Sequence, residues 1–215
     1  HKAIHSFPTR RSSDLGRFQE MLREFPAETL HETIPLFHNT TNRYRIFRKA
    51  LQDDLAGRAA GVPDDIRFAL DREQEAGTLC SLLDSGELPL RVTHNDTKLN
   101  NVLFDRRTRK ALCVLDLDTV MPGSSLYDYG DSIRFGAATA AEDEKDLSKM
   151  GINLHLFQVY TAGYLAACKS LTPKELELLP LGAKIITLEL AVRFLTDYLD
   201  EIGRASCRER VYRLV

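Results

Sequence analysis

Apolar residues recur at helical spacing along most of this 215-residue chain, and the polar positions between them punctuate it. Tyr44, Phe47, Leu51 and Leu55 mark one helix by their i, i+3/i+4 recurrence. Phe18–Phe25 reads as a short helix ended by Pro26, and Leu36–Asn42 as a loop. Pro63 suits the first turn of a longer helix running to about Asp84, with Ile66, Leu70, Leu79 and Leu83 apolar and Gly86 as its stop. Ile152–Lys169 predicts another, with Leu154, Phe157, Thr161, Tyr164, Leu165 and Cys168 on one broad face. Thr172-Pro-Lys-Glu175 spells a capping box with proline at the first helical position, which starts a helix through Leu190 to Tyr198. Between the helices, Leu90–Thr93, Asn101–Phe104 and Ala111–Leu115 read as short strands. The charged stretch 105–110 is the turn between the last two, and the chain becomes helical again beyond Gly123.

Those strands flank the candidate chemistry. Arg91-Val-Thr-His-Asn-Asp-Thr-Lys-Leu-Asn-Asn-Val-Leu-Phe104 sets His94, Asp96, Lys98 and Asn101 in an H-x-D-x-K-x-x-N pattern, and Asp116 closes the next apolar run. This is the layout of a kinase catalytic loop. One Asp accepts the proton of the substrate hydroxyl, while an Asn downstream and an Asp on the next strand hold Mg²⁺ against the ATP phosphates. A loop between strands suits the task, because phosphoryl transfer needs positioned charge more than covalent chemistry.

The block resembles the aminoglycoside/choline kinase-like phosphotransferase family. The resemblance is carried by Leu30-His-Glu-Thr-Ile-Pro-Leu-Phe-His-Asn39, Val92-Thr-His-Asn-Asp-Thr-Lys-Leu-Asn-Asn101, Asp116-Leu-Asp-Thr-Val-Met-Pro-Gly123 and Leu126-Tyr-Asp-Tyr-Gly-Asp-Ser-Ile-Arg-Phe-Gly136. It implies the protein-kinase-like fold, here the C-terminal catalytic lobe, mostly α with a small catalytic β hairpin. Within the family the chain is most similar to the enzymes that phosphorylate N-acetylglucosamine or N-acetylgalactosamine at the anomeric hydroxyl. That implies ATP and Mg²⁺ as cofactors and a small-molecule sugar as partner. Residue by residue, Asp96 matches the catalytic base, with Lys98 and His94 beside it; Asn101 and Asp116 match the metal ligands. Lys98 sits where many protein kinases carry a phosphate-contacting lysine, and many antibiotic kinases have histidine there. The D-F-G triplet of protein kinases is replaced by Asp116-Leu-Asp118, which makes Asp118 a candidate second metal ligand. Choline, ethanolamine and aminoglycoside kinases are the rival readings on the same fold. A catalytically silent pseudokinase or binding module is the rival from another class.

Other positions keep two readings each. Asn95 and Thr119 lie beside the reaction centre, either touching sugar hydroxyls or shaping a turn. Asp128 either braces the catalytic loop by accepting backbone hydrogen bonds or caps a helix. Arg193, alone on an apolar helix, either binds sugar or makes a salt bridge. His31, His38 and His155 have no metal-ligand spacing and are expected at the surface or in the core.

Composition narrows the classes further. A hydrophobic content of 43% and a charged content of 28% are those of an ordinary globular protein. The net charge of -2 gives no reason to expect nucleic acid or an anionic membrane as partner. No apolar run approaches the ~20 residues that span a bilayer. Cys80, Cys113 and Cys168 are widely spaced and read as reduced, buried cysteines of a cytoplasmic protein. The ends look foreign: Ser6-Phe-Pro-Thr-Arg-Arg-Ser-Ser-Asp-Leu15 and Ile202-Gly-Arg-Ala-Ser-Cys-Arg-Glu-Arg-Val211 read like translated sequencing adapter. Residues 1–15 and 203–215 are therefore expected to be non-native tails, and 16–202 a fragment holding the catalytic lobe. The Gly-rich phosphate loop, the strand lysine and the adenine hinge of kinases are not found in it, so the chain alone is expected not to turn over.

Overall fold

A computed structural model describes residues 8–108, 111–140, 144 and 146–200. Helices α1 (Pro8–Met21), α2 (Thr40–Asp53), α3 (Pro63–Leu70), α4 (Glu73–Ala76) and α5 (Thr78–Asp84) come first. Four short strands follow: β1 (Arg91–Thr93), β2 (Val102–Phe104), β3 (Ala111–Val114) and β4 (Met121–Gly123). Then come α6 (Ser125–Gly136), α7 (Leu154–Ala167) and α8 (Pro173–Leu199). The protein is thus mostly helical, as expected, but carries two small antiparallel sheets rather than one hairpin. β2 pairs with β3, and β1 pairs with the unanticipated β4 in the register Arg91↔Gly123, Val92↔Pro122, Thr93↔Met121.

The 27-residue α8 is the axis of the molecule. It is apolar around much of its circumference, which marks a helix buried by neighbours on several sides. Its first half packs with α1, α6 and α7 around Leu126, Tyr129, Tyr160, Tyr164, Ile185 and Ile186. Its second half packs with α2 and α3 around Tyr44, Phe47, Val62, Val192, Leu195 and Leu199. Where α6 crosses α8 the two backbones nearly touch. A Cβ at Gly130 would lie 2.5 Å from the Gly182 carbonyl oxygen, and one at Gly182 would lie 2.7 Å from that of Leu126. Glycine at both positions is what permits this crossing.

The N-terminus of α8 is tied to the strands by a buried ion pair. The capping box forms as expected, with Thr172 accepting the Glu175 N–H and Glu175 accepting that of Thr172. Glu175 is fully buried, and Arg91 of β1 donates to it through Nε at 2.5 Å and Nη2 at 2.7 Å. Ser125 of α6 donates to the same carboxylate at 2.7 Å. Burial pushes the Glu175 carboxyl up, but Arg91 and these hydrogen bonds hold it below its ordinary value. One side chain thereby fixes β1, α6 and α8 together.

Three further expectations differ from the structure. The helix expected over 63–84 is three short ones. The breaks are held by side chains distant in sequence: Tyr44 Oη donates to the Ala69 carbonyl at 2.9 Å, and Thr40 Oγ1 to that of Ala76 at 2.6 Å. Arg72 lies over the Phe68 ring and donates to its carbonyl at 3.1 Å. These contacts cap α3 and α4, and periodicity alone does not register them. The first helix starts at Pro8 rather than Phe18, inside the stretch expected to be foreign. There Leu15 is only 2% exposed and Ser13 Oγ donates to the Gly163 carbonyl, so position 15 is not a structural boundary. The tail expected at 203–215 lies outside the described residues. Finally, Cys80 and Cys168 are buried and free, whereas Cys113, on a strand exposed at its middle on both faces, is exposed. Among the described residues no helix is long and apolar enough to cross a membrane.

Candidate active site

The loop after β1 is built around a buried carboxylate. Asn95 takes the left-handed conformation (φ 64°), which asparagine tolerates better than most residues. The turn presents the N–H groups of His94 and Asn95 to Asp128 in the first turn of α6, at 2.9 and 2.7 Å. Gln19 of α1 donates to the same carboxylate at 2.7 Å. Asp128 is 1% exposed; burial pushes its carboxyl above the ordinary value, against the pull of the two backbone N–H groups. The cap of α6 is Ser124, so Asp128 is the loop's brace rather than a helix cap. Thr97 Oγ1 donates to the Asp128 carbonyl at 2.7 Å and ties the loop's far side to α6.

His94 is a pin. Its ring is buried; Nδ1 accepts the Asp96 N–H at 3.3 Å, so Nε2 carries the proton that goes to the Leu115 carbonyl at 2.9 Å. Both nitrogens are thus engaged inside the protein, which corrects its grouping with the catalytic positions. The Leu115 N–H in turn donates to the Asn101 carbonyl at 2.7 Å. Asn101 and Leu115, the residue before Asp116, are thereby joined across the ends of β2 and β3. Asn101 Nδ2 donates to the Asp96 carbonyl at 2.8 Å and to its carboxylate at 3.1 Å. The other carboxylate oxygen of Asp96 meets Lys98 Nζ at 2.9 Å. Asp96 therefore stands partly exposed between an amide and an ammonium group.

Asp116 is exposed and left-handed (φ 59°), and its carboxylate has no protein partner among the described residues. The amide oxygen of Asn101 and the carboxylate of Asp116 make a hard-oxygen set of the kind Mg²⁺ accepts, with phosphates and water completing its shell. Asp118 is exposed nearby, its carbonyl accepting from Thr33 Oγ1 at 2.9 Å. Among the described residues no three His, Cys, Asp or Glu side chains converge on a metal position.

On the other side of Asp96 lies a cavity of about 140 Å³. Asp96, Lys98, Asn95, Thr119 and Arg193 all line it, so the structure collects every candidate acceptor residue in one place. Asn95 is nonetheless 5% exposed and donates its amide to the Thr119 carbonyl at 2.9 Å, which makes it part of the turn. Thr119 donates to the His94 carbonyl at 2.6 Å and keeps a hydroxyl oxygen free to accept. Arg193 lies against the Phe194 ring. A larger cavity of about 180 Å³ also borders His38, but Asp96 does not line it.

The sequence reading missed four charged residues of the smaller cavity and gave a fifth, His38, only a surface or core role. Asp131 pairs with Arg134 at 2.9 Å, both side chains under one-tenth exposed. Glu189 pairs with His38 at 3.1 Å and lies 3.7 Å from Arg43. The available signal was charge in apolar company, as at Glu189 between Leu188 and Leu190. A family model described as APH, phosphotransferase enzyme family, matches residues 5–152, which take in both the catalytic loop and Asp128.

Proposed function

Because the chain belongs to the phosphotransferase enzyme family, we propose that it is the catalytic lobe of an N-acetylhexosamine 1-kinase, transferring the γ-phosphoryl group of ATP to the anomeric hydroxyl of N-acetylglucosamine or N-acetylgalactosamine. Asp96 takes the proton from the acceptor hydroxyl. Its carboxylate is held for this by Asn101 and Lys98, and its backbone by His94. Asn101 and Asp116 would hold Mg²⁺, which neutralises charge on the phosphates. Lys98, 39% exposed, is free to swing from Asp96 to a phosphate oxygen as the nucleotide arrives. Thr119 and Arg193 face the acceptor. Such an enzyme works in a reducing compartment that supplies ATP, consistent with the free thiols of Cys80 and Cys168 and with a cytoplasmic location.

One observation carries the acceptor class. Every carboxylate lining the cavity beside Asp96 already has a cation: Asp131 has Arg134, and Glu189 has His38 and Arg43. A choline, ethanolamine or aminoglycoside acceptor brings its own positive charge and needs a carboxylate or aromatic face to receive it. Here it would meet Arg43, Lys98, Arg134 and Arg193 as well. A neutral polyol needs only hydrogen-bonding groups. The presence of Asp96, Asn101 and Asp116 together favours turnover over a silent binding module.

The test is an acceptor panel read in two ways. Binding of N-acetylglucosamine, N-acetylgalactosamine, choline and an aminoglycoside is followed by NMR on the chain, and phosphorylation is followed by ³¹P NMR with ATP and Mg²⁺. N-acetylhexosamines should shift the amides of Asp96 and Thr119, and any product should be the 1-phosphate. Binding of choline or the aminoglycoside in their place would sink the sugar reading.

A further inference from the structure

His38 joins two things that are far apart in sequence. It sits in the turn just before α2, 151 residues from Glu189 of α8 and 57 from Asn95 of the catalytic loop. Its Nδ1 lies 3.1 and 3.3 Å from the two oxygens of Glu189, and its Nε2 lies 3.1 Å from the Asn95 carbonyl. With Glu189 ionised both partners are acceptors only, so a neutral ring can satisfy one of them and an imidazolium satisfies both. The Phe37 ring meets it edge-on and the Tyr127 ring lies tilted beside it, at 4.6 and 5.1 Å between centroids.

The Asn95 carbonyl belongs to the peptide that joins Asn95 to Asp96. On its own side that peptide's N–H goes to His94. A charged donor on the carbonyl and an acceptor on the N–H fix the plane from both edges. We propose that the His38–Glu189 pair is a positioning device for the catalytic loop, in which α8 holds the Asn95–Asp96 peptide through the imidazolium and so aims the Asp96 carboxylate. The proposal rests on Asp96 as the proton acceptor of the proposed function. Charged and titratable groups face the pair from the elements around it, Tyr127 of α6 and Arg193 of α8 among them. Arg43 of α2 stands 3.7 Å from Glu189, the Asp131–Arg134 pair of α6 lines the same cavity, and so does the Asp96–Lys98 pair of the loop. Burial disfavours charge on His38, but the Glu189 carboxylate and the two hydrogen bonds overcome it and raise the imidazole above its ordinary value.

The device predicts that the loop feels the protonation of His38. The experiment is a pH titration of the isotope-labelled 215-residue chain from about pH 5.5 to 9.5, a window that brackets histidine. The ring signals of His38 and His94, the ¹³C of the Asn95 carbonyl and the ¹⁵N of Asp96 are followed separately. The Asn95 and Asp96 signals should share the midpoint of His38 and not that of His94. In Glu189→Gln, which keeps an acceptor but removes the charge, that shared midpoint should fall by about one pH unit or more. In His38→Gln, whose amide can still donate to the Asn95 carbonyl, the titration at Asn95 and Asp96 should vanish while the His94 ring signals stay in place. Loop signals that follow His94, or that still titrate in His38→Gln, would overturn the proposal. Should His38→Gln fail to fold, Glu189→Gln decides alone, since an unmoved midpoint refutes the coupling. An acceptor panel that fails while this coupling is intact removes the sugar reading and leaves the positioning of the loop standing.

Discussion

Replacing Asp128 by asparagine tests whether one buried carboxylate organises the catalytic loop. The side chain receives three donors: the N–H groups of His94 and Asn95, and the Gln19 amide. Asparagine has nearly the same shape but offers one acceptor and one donor group. With its oxygen toward His94 and Gln19, its NH₂ points at the Asn95 N–H. Reversed, the NH₂ opposes two donors, so the first orientation is preferred. It loses one hydrogen bond to a charged group, worth about 1.5–3 kcal/mol, and leaves a buried donor unmatched at about 1–3 kcal/mol. Removing a charge from a site that is 1% exposed offsets part of this. A net loss of about 2 kcal/mol remains, which lowers Tm by roughly 4–8 °C in a protein of this size. Urea unfolding measures the loss, and hydrogen exchange shows where it falls. The Asn95 amide, and to a lesser degree that of His94, should exchange faster than amides in α8. A loss below about 0.5 kcal/mol, the range of a neutral surface change, with undiminished protection at Asn95 would show that the brace does not hold the loop.

The remaining predictions concern the chemistry and the acid limit of the fold. In a full-length parent enzyme, which carries the nucleotide-binding segments not found in this chain, Asp96→Asn should lower kcat by roughly 10²–10⁴, the scale of a positioned general base, while acceptor affinity measured by titration stays nearly unchanged. A kcat within a few-fold of the unaltered protein would remove Asp96 as the base. In the same parent Asp116→Ala should abolish Mg²⁺-supported turnover and Mn²⁺ binding with nucleotide, yet leave the circular dichroism spectrum intact, because the side chain is exposed and unpartnered among the described residues. Loss of the helical signal would make Asp116 a structural residue. Glu20 accepts the backbone N–H groups of Lys169 and Ser170 just beyond α7, and chiefly the first holds its carboxyl down at about 2 from 4.5. A depressed carboxyl stabilises the folded state above its unfolded value and loses that contribution as pH falls through the folded one. Unfolding between pH 4.5 and about 2 should therefore be shallower in Glu20→Gln, and an identical pH profile would exclude this anchor.

What the sequence disclosed and what it withheld divide along chain distance. That Asp96, Lys98 and Asn101 meet is legible because all three lie on one loop, within a few residues at fixed spacing. The capping box at Thr172 is legible for the same reason. β4 was hidden because three residues around Pro122 carry no period, and only β1 opposite makes them a strand. The break of the 63–84 helix was hidden because Tyr44 and Thr40 supply its caps from another element. The residues that aim the loop are the most distant of all. Asp128 lies 34 residues from the His94 N–H it accepts, and Glu189 lies 151 from His38. A trace of them was nevertheless present. α8 is apolar around much of its surface, and a charge inside such a helix has to be matched, because an unpaired buried charge would cost more than the helix could recover. Glu175, Glu189 and Arg193 are such charges, and two of them proved to hold β1 and the catalytic loop. Reading Arg193 alone from that helix set aside the two carboxylates whose burial required partners. The partners they required stand at the base of the site.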